Sequence, residues 1–219
     1  MYSLIIFDWD GTLVDSVARI VASLRLAIDD LNFPELEDEK LKDIIGLGLP
    51  EAMQTLYPDA STADYERLRE RYAHFFLQSN DIPAHPFPGV GVALDRLSGQ
   101  GLTLAVATGK SRKGLNRALH DSGWKKYFAH SRCADETLSK PHPRMLEELL
   151  EEAAVRPENA LMIGDTEYDL DMAQRAGVDR VAVSYGVHEL SRLRRYQPGL
   201  IIDHMDELVD WLASRHRTQ

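Results

Sequence analysis

Five short runs of nearly uninterrupted apolar residues constrain this chain more than any other feature: Leu4–Phe7, Leu102–Ala107, Leu161–Ile163, Val181–Val183 and Leu200–Ile202. A strand with one wet face alternates apolar and polar residues. A strand without alternation is covered on both faces, as in a parallel sheet flanked by helices. Between most of the runs lie amphipathic segments, marked by Leu94 and Leu97, by Leu115, Ala118 and Leu119, and by Met145, Leu146, Leu149 and Leu150, at spacings that share one helical face. The expected class is α/β, built on a doubly wound parallel sheet.

One region breaks this rhythm. From Val17 to about Ser79 the apolar positions keep only helical spacing: Val17, Ile20, Val21, Leu24, Ile28 and Leu31, then Tyr65, Leu68, Tyr72, Phe75 and Phe76. The region ends at "IPAHPFPG" (Ile82–Gly89), whose three prolines cannot continue a helix. The pattern predicts an all-helical domain over residues 16–84, inserted into a core made of residues 1–15 and 85–219. Within it "GLGLP" (Gly46–Pro50) marks a loop, and its glycines, Gly46 and Gly48, permit close backbone approach to a ligand.

The chain of 219 residues is long enough for a substantial core, and its net charge of −10 disfavours nucleic acid, whose phosphates require a basic face. Its one cysteine, Cys133, excludes an intrachain disulfide and reads as a small buried filler in a reducing compartment. No basic n-region precedes the first apolar run, which Asp8 interrupts, and no run approaches the ~18 residues of a membrane span. A cytoplasmic protein, monomer or homodimer, is expected.

In a parallel α/β sheet, ligands bind beyond the carboxyl ends of the strands. The first run delivers Asp8 and Asp10 there, the second Thr108, Gly109 and Lys110, and the third Gly164, Asp165 and then Asp169; "SKPHP" adds Lys140, its loop stiffened by two prolines. Clustered carboxylates suit a hard cation, Mg2+ first, while a hydroxyl, backbone N–H groups near glycine and a fixed lysine suit phosphate. Together they describe phosphoryl transfer to an aspartate nucleophile. Lys110, Arg112 and Lys113 read as a solvated helix start, Thr108 as a residue that could also cap that helix, and His85 and His142 as loop residues.

In order along the chain, "FDWDGTLVDS" (Phe7–Ser16), "ATGKS" (Ala107–Ser111), "SKPHP" (Ser139–Pro143) and "GDTEYD" (Gly164–Asp169) resemble the four motifs of the haloacid dehalogenase-like hydrolases. The helical insertion is similar to the cap of the phosphoglycolate phosphatase-like branch. Trp9 departs from the smaller apolar residue common in the family, a change of packing. The resemblance implies a Rossmann-like core with an all-helical cap and a phosphatase of small phosphorylated metabolites, phosphoglycolate being the family-level candidate. It implies Asp8 as nucleophile, Asp10 as general acid and base, and Thr108, Gly109 and Lys140 around the phosphoryl oxygens, with Gly46 and Gly48 meeting the rest of the substrate. Mg2+ would be held by Asp8, Asp165 and the Asp10 backbone carbonyl, with Asp169 near the metal or Lys140. A mutase of β-phosphoglucomutase type shares this chemistry; a dehalogenase would have no use for Asp10; a non-catalytic binding module would have no use for the complete set.

Overall fold

The computed structural model describes residues 1–79 and 81–216. Its elements in chain order are strands β1 (Leu4–Phe7) and β2 (Val14–Asp15), and helices α1 (Val17–Asp30), α2 (Asp38–Asp43), α3 (Leu49–Leu56) and α4 (Thr62–His74), the last continued by a π-helical turn at Phe75–Ser79. Next come β3 (His85–Pro86), α5 (Val90–Gly99), β4 (Thr103–Thr108), α6 (Arg112–Ser122), β5 (Phe128–Cys133) and α7 (Arg144–Ala153). The chain ends with β6 (Ala160–Gly164), α8 (Glu167–Arg175), β7 (Asp179–Val183), α9 (Leu190–Leu193), β8 (Leu200–Ile202) and α10 (Met205–His216).

Six strands form one parallel sheet in the order β5-β4-β1-β6-β7-β8. The chain builds outward from β1 in one direction, then returns to β1's other side, which makes the β1/β6 boundary the point where strand order reverses. Successive β1 residues feed opposite layers. Ile5 and Phe7 pack with α5, α6 and α10 through Leu94, Leu97, Leu115 and Leu208; Leu4 and Ile6 pack with α7 and α8 through Met145, Leu149 and Met172. Every β1 and β6 residue is buried, which is why neither strand alternates.

The structure adds two things to the sequence-based expectation. The second apolar run begins one residue later, at Thr103, and extends through Thr108. An edge strand, β5, pairs with it, Thr108 lying opposite Cys133. Its sequence, FAHSRC, has no apolar run because most of its residues are only partly buried. Trp9 packs toward this edge, its ring 5.8 Å from Trp124 and 6.3 Å from Phe128. Cys133 is buried, and burial pushes its thiol up to about 12.

Between β2 and β3, among the described residues, helices are the regular structure, and α1, α2, α3 and α4 share an apolar interior of their own, including Ile20, Leu24, Ile28, Leu41, Met53 and Leu68. The two passages between this insertion and the sheet are paired as the antiparallel strands β2 and β3, Val14 opposite Pro86 and Asp15 opposite His85. Helix α4 is anchored at its centre by Leu68, with Tyr65 and Tyr72 packed partly buried on the same core. Its start is fixed by a reciprocal capping box of Ser61 and Asp64, but Leu68 alone among its residues is fully buried. Leu68→Ala is expected to lower the unfolding free energy by about 2–5 kcal/mol in chemical denaturation, whereas exposed Glu66→Ala shifts it by less than about 0.5 kcal/mol. Equal effects would show that α4 is not anchored through Leu68.

Candidate active site

At the reversal point the Asp8 N–H continues the β1–β6 ladder by donating to the Ile163 carbonyl (2.9 Å), so the Asp8 side chain leaves the sheet at its carboxyl edge. Asp165 follows β6, and Asp169 lies one turn into α8, where it completes a capping box with Thr166. Asp8, Asp165 and Asp169 are all buried and each offers one carboxylate oxygen within 4.8 Å of the others. Lys140, also buried, reaches in from the loop before α7: its Nζ is 2.6 Å from Asp169 Oδ1 and 2.7 Å from Asp8 Oδ1. Thr108, the last residue of β4, is fully buried at the same edge.

The charges do not balance. Three buried carboxylates face one buried ammonium, and desolvation makes an unpaired carboxylate costly. Burial raises the Asp8 pKa well above the ordinary carboxylate range; Asp169 and Asp165 push it further, against the pull of Lys140. Burial, with the charge of Asp169, carries Asp165 to about 7, against hydrogen bonds from the Val187 N–H and the Thr12 hydroxyl. Burial opposes the charge on Lys140, but Asp169 and Asp8 together outweigh it and hold its pKa above the usual value. Neither Asp8 oxygen receives a well-directed hydrogen bond despite the nearby ammonium. Such oxygens among convergent carboxylates fit a hard cation.

The Asp10 side chain does not join this cluster. Ser16 Oγ donates to its Oδ1 (2.5 Å), and Lys110 Nζ bridges both its oxygens at 2.9 and 2.8 Å. This corrects the reading of Lys110 as part of a solvated helix start: its side chain is largely buried, and its ammonium also lies 5.0 Å from the Phe76 ring centroid. Arg112 turns away to Glu136 and Ser131, while Lys113 is exposed. Thr108 does not cap α6; Ser111 does, accepting from the Gly114 N–H, and Thr108 Oγ1 accepts from the Lys110 N–H at 3.2 Å. His85 lies in β3, and His142 stays in its loop, Nδ1 accepting from the Arg144 N–H.

The helical insertion covers the site. Gly46 (φ +103°) lines a cavity of about 180 Å3 together with Asp8, Asp10, Gly109 and Lys110. Gly48 is not among the lining residues; its N–H donates to Ser139 Oγ (2.7 Å) beside Lys140. Gly109 faces the insertion's backbone so closely that a Cβ there would stand 2.4 Å from the Leu47 carbonyl oxygen. Further out, Tyr168 donates to the Asp43 carbonyl (2.9 Å), and Arg192 pairs with both Asp43 and Glu167.

Sequence reasoning missed the contribution that follows β7. A Cβ on Gly186 would lie 2.1 Å from that of Asp165, Val187 holds Asp165 through its N–H, and the Tyr185 hydroxyl donates to the Thr12 carbonyl (3.0 Å). The same strand-end rule that picked out Asp8 and Asp165, applied to Val181–Val183, points to these residues.

Residues 5–183 match the sequence profile of the haloacid dehalogenase-like hydrolases. The chain is 34% identical to "Probable phosphatase IndB" of Dickeya dadantii, covering 95% of this chain and 93% of that protein. It is 31% identical to the phosphoglycolate phosphatase of Vibrio parahaemolyticus, covering 96% of each. Its fold superimposes with a TM-score of 0.84 on a haloacid dehalogenase-like family hydrolase from Streptococcus pneumoniae at 23% identity, covering 96% of this chain and 98% of that one. A parallel sheet whose order reverses at a knot of buried carboxylates, a profile match over most of the length and relatives that align from end to end lead to one assignment: the chain belongs to the haloacid dehalogenase-like hydrolases.

Proposed function

We propose that this protein is a Mg2+-dependent phosphatase that hydrolyses a small phosphomonoester through an aspartyl-phosphate on Asp8. One observation carries the reading: Asp8 is a buried carboxylate whose Oδ2 has no partner and whose Oδ1 meets only the Lys140 ammonium, at the centre of a cluster holding two further carboxylates. The phosphatase names of its relatives support the same chemistry.

In this reading an Asp8 oxygen attacks phosphorus and the bond to the ester oxygen breaks. Asp10 gives that oxygen a proton, then takes one from the water that attacks the phosphoaspartate and releases phosphate. Thr108, the Gly109 backbone and Lys140 hold the phosphoryl oxygens, with Lys140 kept in direction by Asp169. Asp8, Asp165 and the Asp10 carbonyl, with Asp169 close by, would hold Mg2+, which would supply positive charge against the nucleophile and the phosphate. Residues 16–84 act as the cap, over a core of residues 1–15 and 85–219, and exclude bulk water from the acyl phosphate. Phosphoglycolate is named for several relatives, and at 28–31% identity the cap surface that selects it does not transfer by fold alone.

Asp8→Asn removes the nucleophile and the buried charge together. Activity on phosphate esters is expected to fall by at least ~10^3-fold, while the metal-free variant melts at or above the parent temperature. Residual turnover of a few per cent would assign the nucleophile elsewhere.

Because the folded pKa values of Asp8 and Asp165 are raised, the metal-free folded protein binds more protons than the unfolded chain from the ordinary carboxylate range up to about 7. Its stability therefore falls as pH rises through that window. Protons and Mg2+ compete for the same oxygens, so the melting-temperature gain on adding Mg2+ is expected to be larger at pH 8 than at pH 5.5. Equal gains at both would place the ion on other ligands.

Gly109→Ala sets a methyl group against the Leu47 and Gly46 carbonyls, backbone atoms that cannot step aside. A drop in kcat/KM of about tenfold or more is expected, together with a lower melting temperature from the same clash. Unchanged kinetics would mean that cap contact at this point is not needed for turnover.

A further inference from the structure

The walls of the cavity above Asp8 differ sharply in chemistry. The core side supplies Asp8, Asp10, Gly109, Lys110 and Lys113; the helical side supplies Ile20, Leu24, Ile45, Leu49, Ala52 and Phe76 among others, with the Tyr72 hydroxyl as its polar side-chain group and, among the described residues, no charged one. The phosphate end of a substrate must sit at the core side, so its alcohol part projects against that apolar wall.

We propose that the substrate is the phosphomonoester of an apolar alcohol, one carrying a single ring or a short hydrocarbon chain, rather than of a hydroxy acid. This rests on the phosphatase reading and narrows it. The cavity volume of about 180 Å3 exceeds the roughly 150 Å3 of an apolar cavity that accepts benzene. A carboxylate pressed against Ile20, Leu24 and Leu49 would lose its hydration without gaining a partner. Of the two lysines that line the chamber, Lys110 is taken up by both oxygens of Asp10, and Lys113 belongs to the α6 side, where it is exposed and keeps its hydration.

A second chamber, lined by Arg19, His85 and Arg117, adjoins the first across Phe76 and Lys110. It does not provide the missing cation. Asp8 lines only the first chamber. Arg19 donates to the Phe76 and Ile82 carbonyls, and Arg117 pairs with Asp121 and donates to the Leu77 carbonyl. Both guanidinium groups are thus committed to the protein.

The test compares benzyl phosphate with phosphoglycolate, two esters of primary alcohols whose leaving groups both require protonation. With Mg2+ present, kcat/KM for benzyl phosphate is expected to exceed that for phosphoglycolate by roughly tenfold to a hundredfold, the range set by burying one ring in an apolar site. Calorimetry on the Asp8→Asn variant, which binds without turnover, should rank the two ligands in the same order. Leu49→Lys, placing a cation in the wall at a partly exposed position, should narrow or reverse the ranking while the melting curve stays cooperative. Turnover with phosphoglycolate equal or preferred would overturn the apolar assignment and leave the phosphatase reading standing. Tighter binding of benzyl phosphate without turnover of either ester, or of p-nitrophenyl phosphate, would do the reverse.

Discussion

The contact on which the rest of the site depends is that of Lys140 with Asp8 and Asp169, an ammonium between two buried carboxylates with a third, Asp165, a few ångströms away. No arrangement of these four groups is electrically comfortable in the dry interior of a domain. Each carboxylate is held in place by the fold, not by its neighbours' charge alone. Asp8 extends the central strand, Asp165 is gripped by Thr12 and Val187, and Asp169 is built into the capping box of α8. The two apolar layers that fix the sheet thereby sustain a frustrated cluster at its edge, one that a divalent cation would relieve.

The second constraint is geometric. The approach of Gly109 to the Leu47 carbonyl leaves no room for any side chain, and Gly48 is tied to Ser139, the neighbour of Lys140. Cap contact is thus registered by backbone atoms at two of the loops that shape the phosphate site. The outer links, Tyr168 to Asp43 and Arg192 to Asp43 and Glu167, engage α8 residues beside the buried Asp169. The buried carboxylate cluster and the seating of the helical segment share the same few residues.

Much of this was legible in the sequence because it follows from period and position. Unbroken apolar runs specify strands buried on both faces, and the strand-end rule picked out Asp8, Thr108 and Asp165 without any contact being known. Lys140 followed from its prolines and its motif. Lys110 did not: its neighbours Arg112 and Lys113 do turn outward, and only Asp10 and Phe76, distant in sequence, draw Lys110 inward. Strand β5 was invisible because an edge strand with mixed burial carries no apolar run. Gly48 turned out to touch the core through Ser139, a pairing across 91 positions that no local pattern encodes.

The paired crossings β2 and β3 have a consequence for the history of such a chain. Because Val14 lies opposite Pro86 and Asp15 opposite His85, the helical segment leaves and re-enters the sheet domain through neighbouring strands, whose Cα atoms are about 5 Å apart. Its two ends meet as the ends of a hairpin loop do, so exchanging everything between them for a longer, shorter or differently shaped module changes the loop and not the frame. The catalytic edge and the selective surface are in that sense separate inheritances, joined at a four-residue seam, free to be recombined without disturbing the sheet on which the chemistry stands.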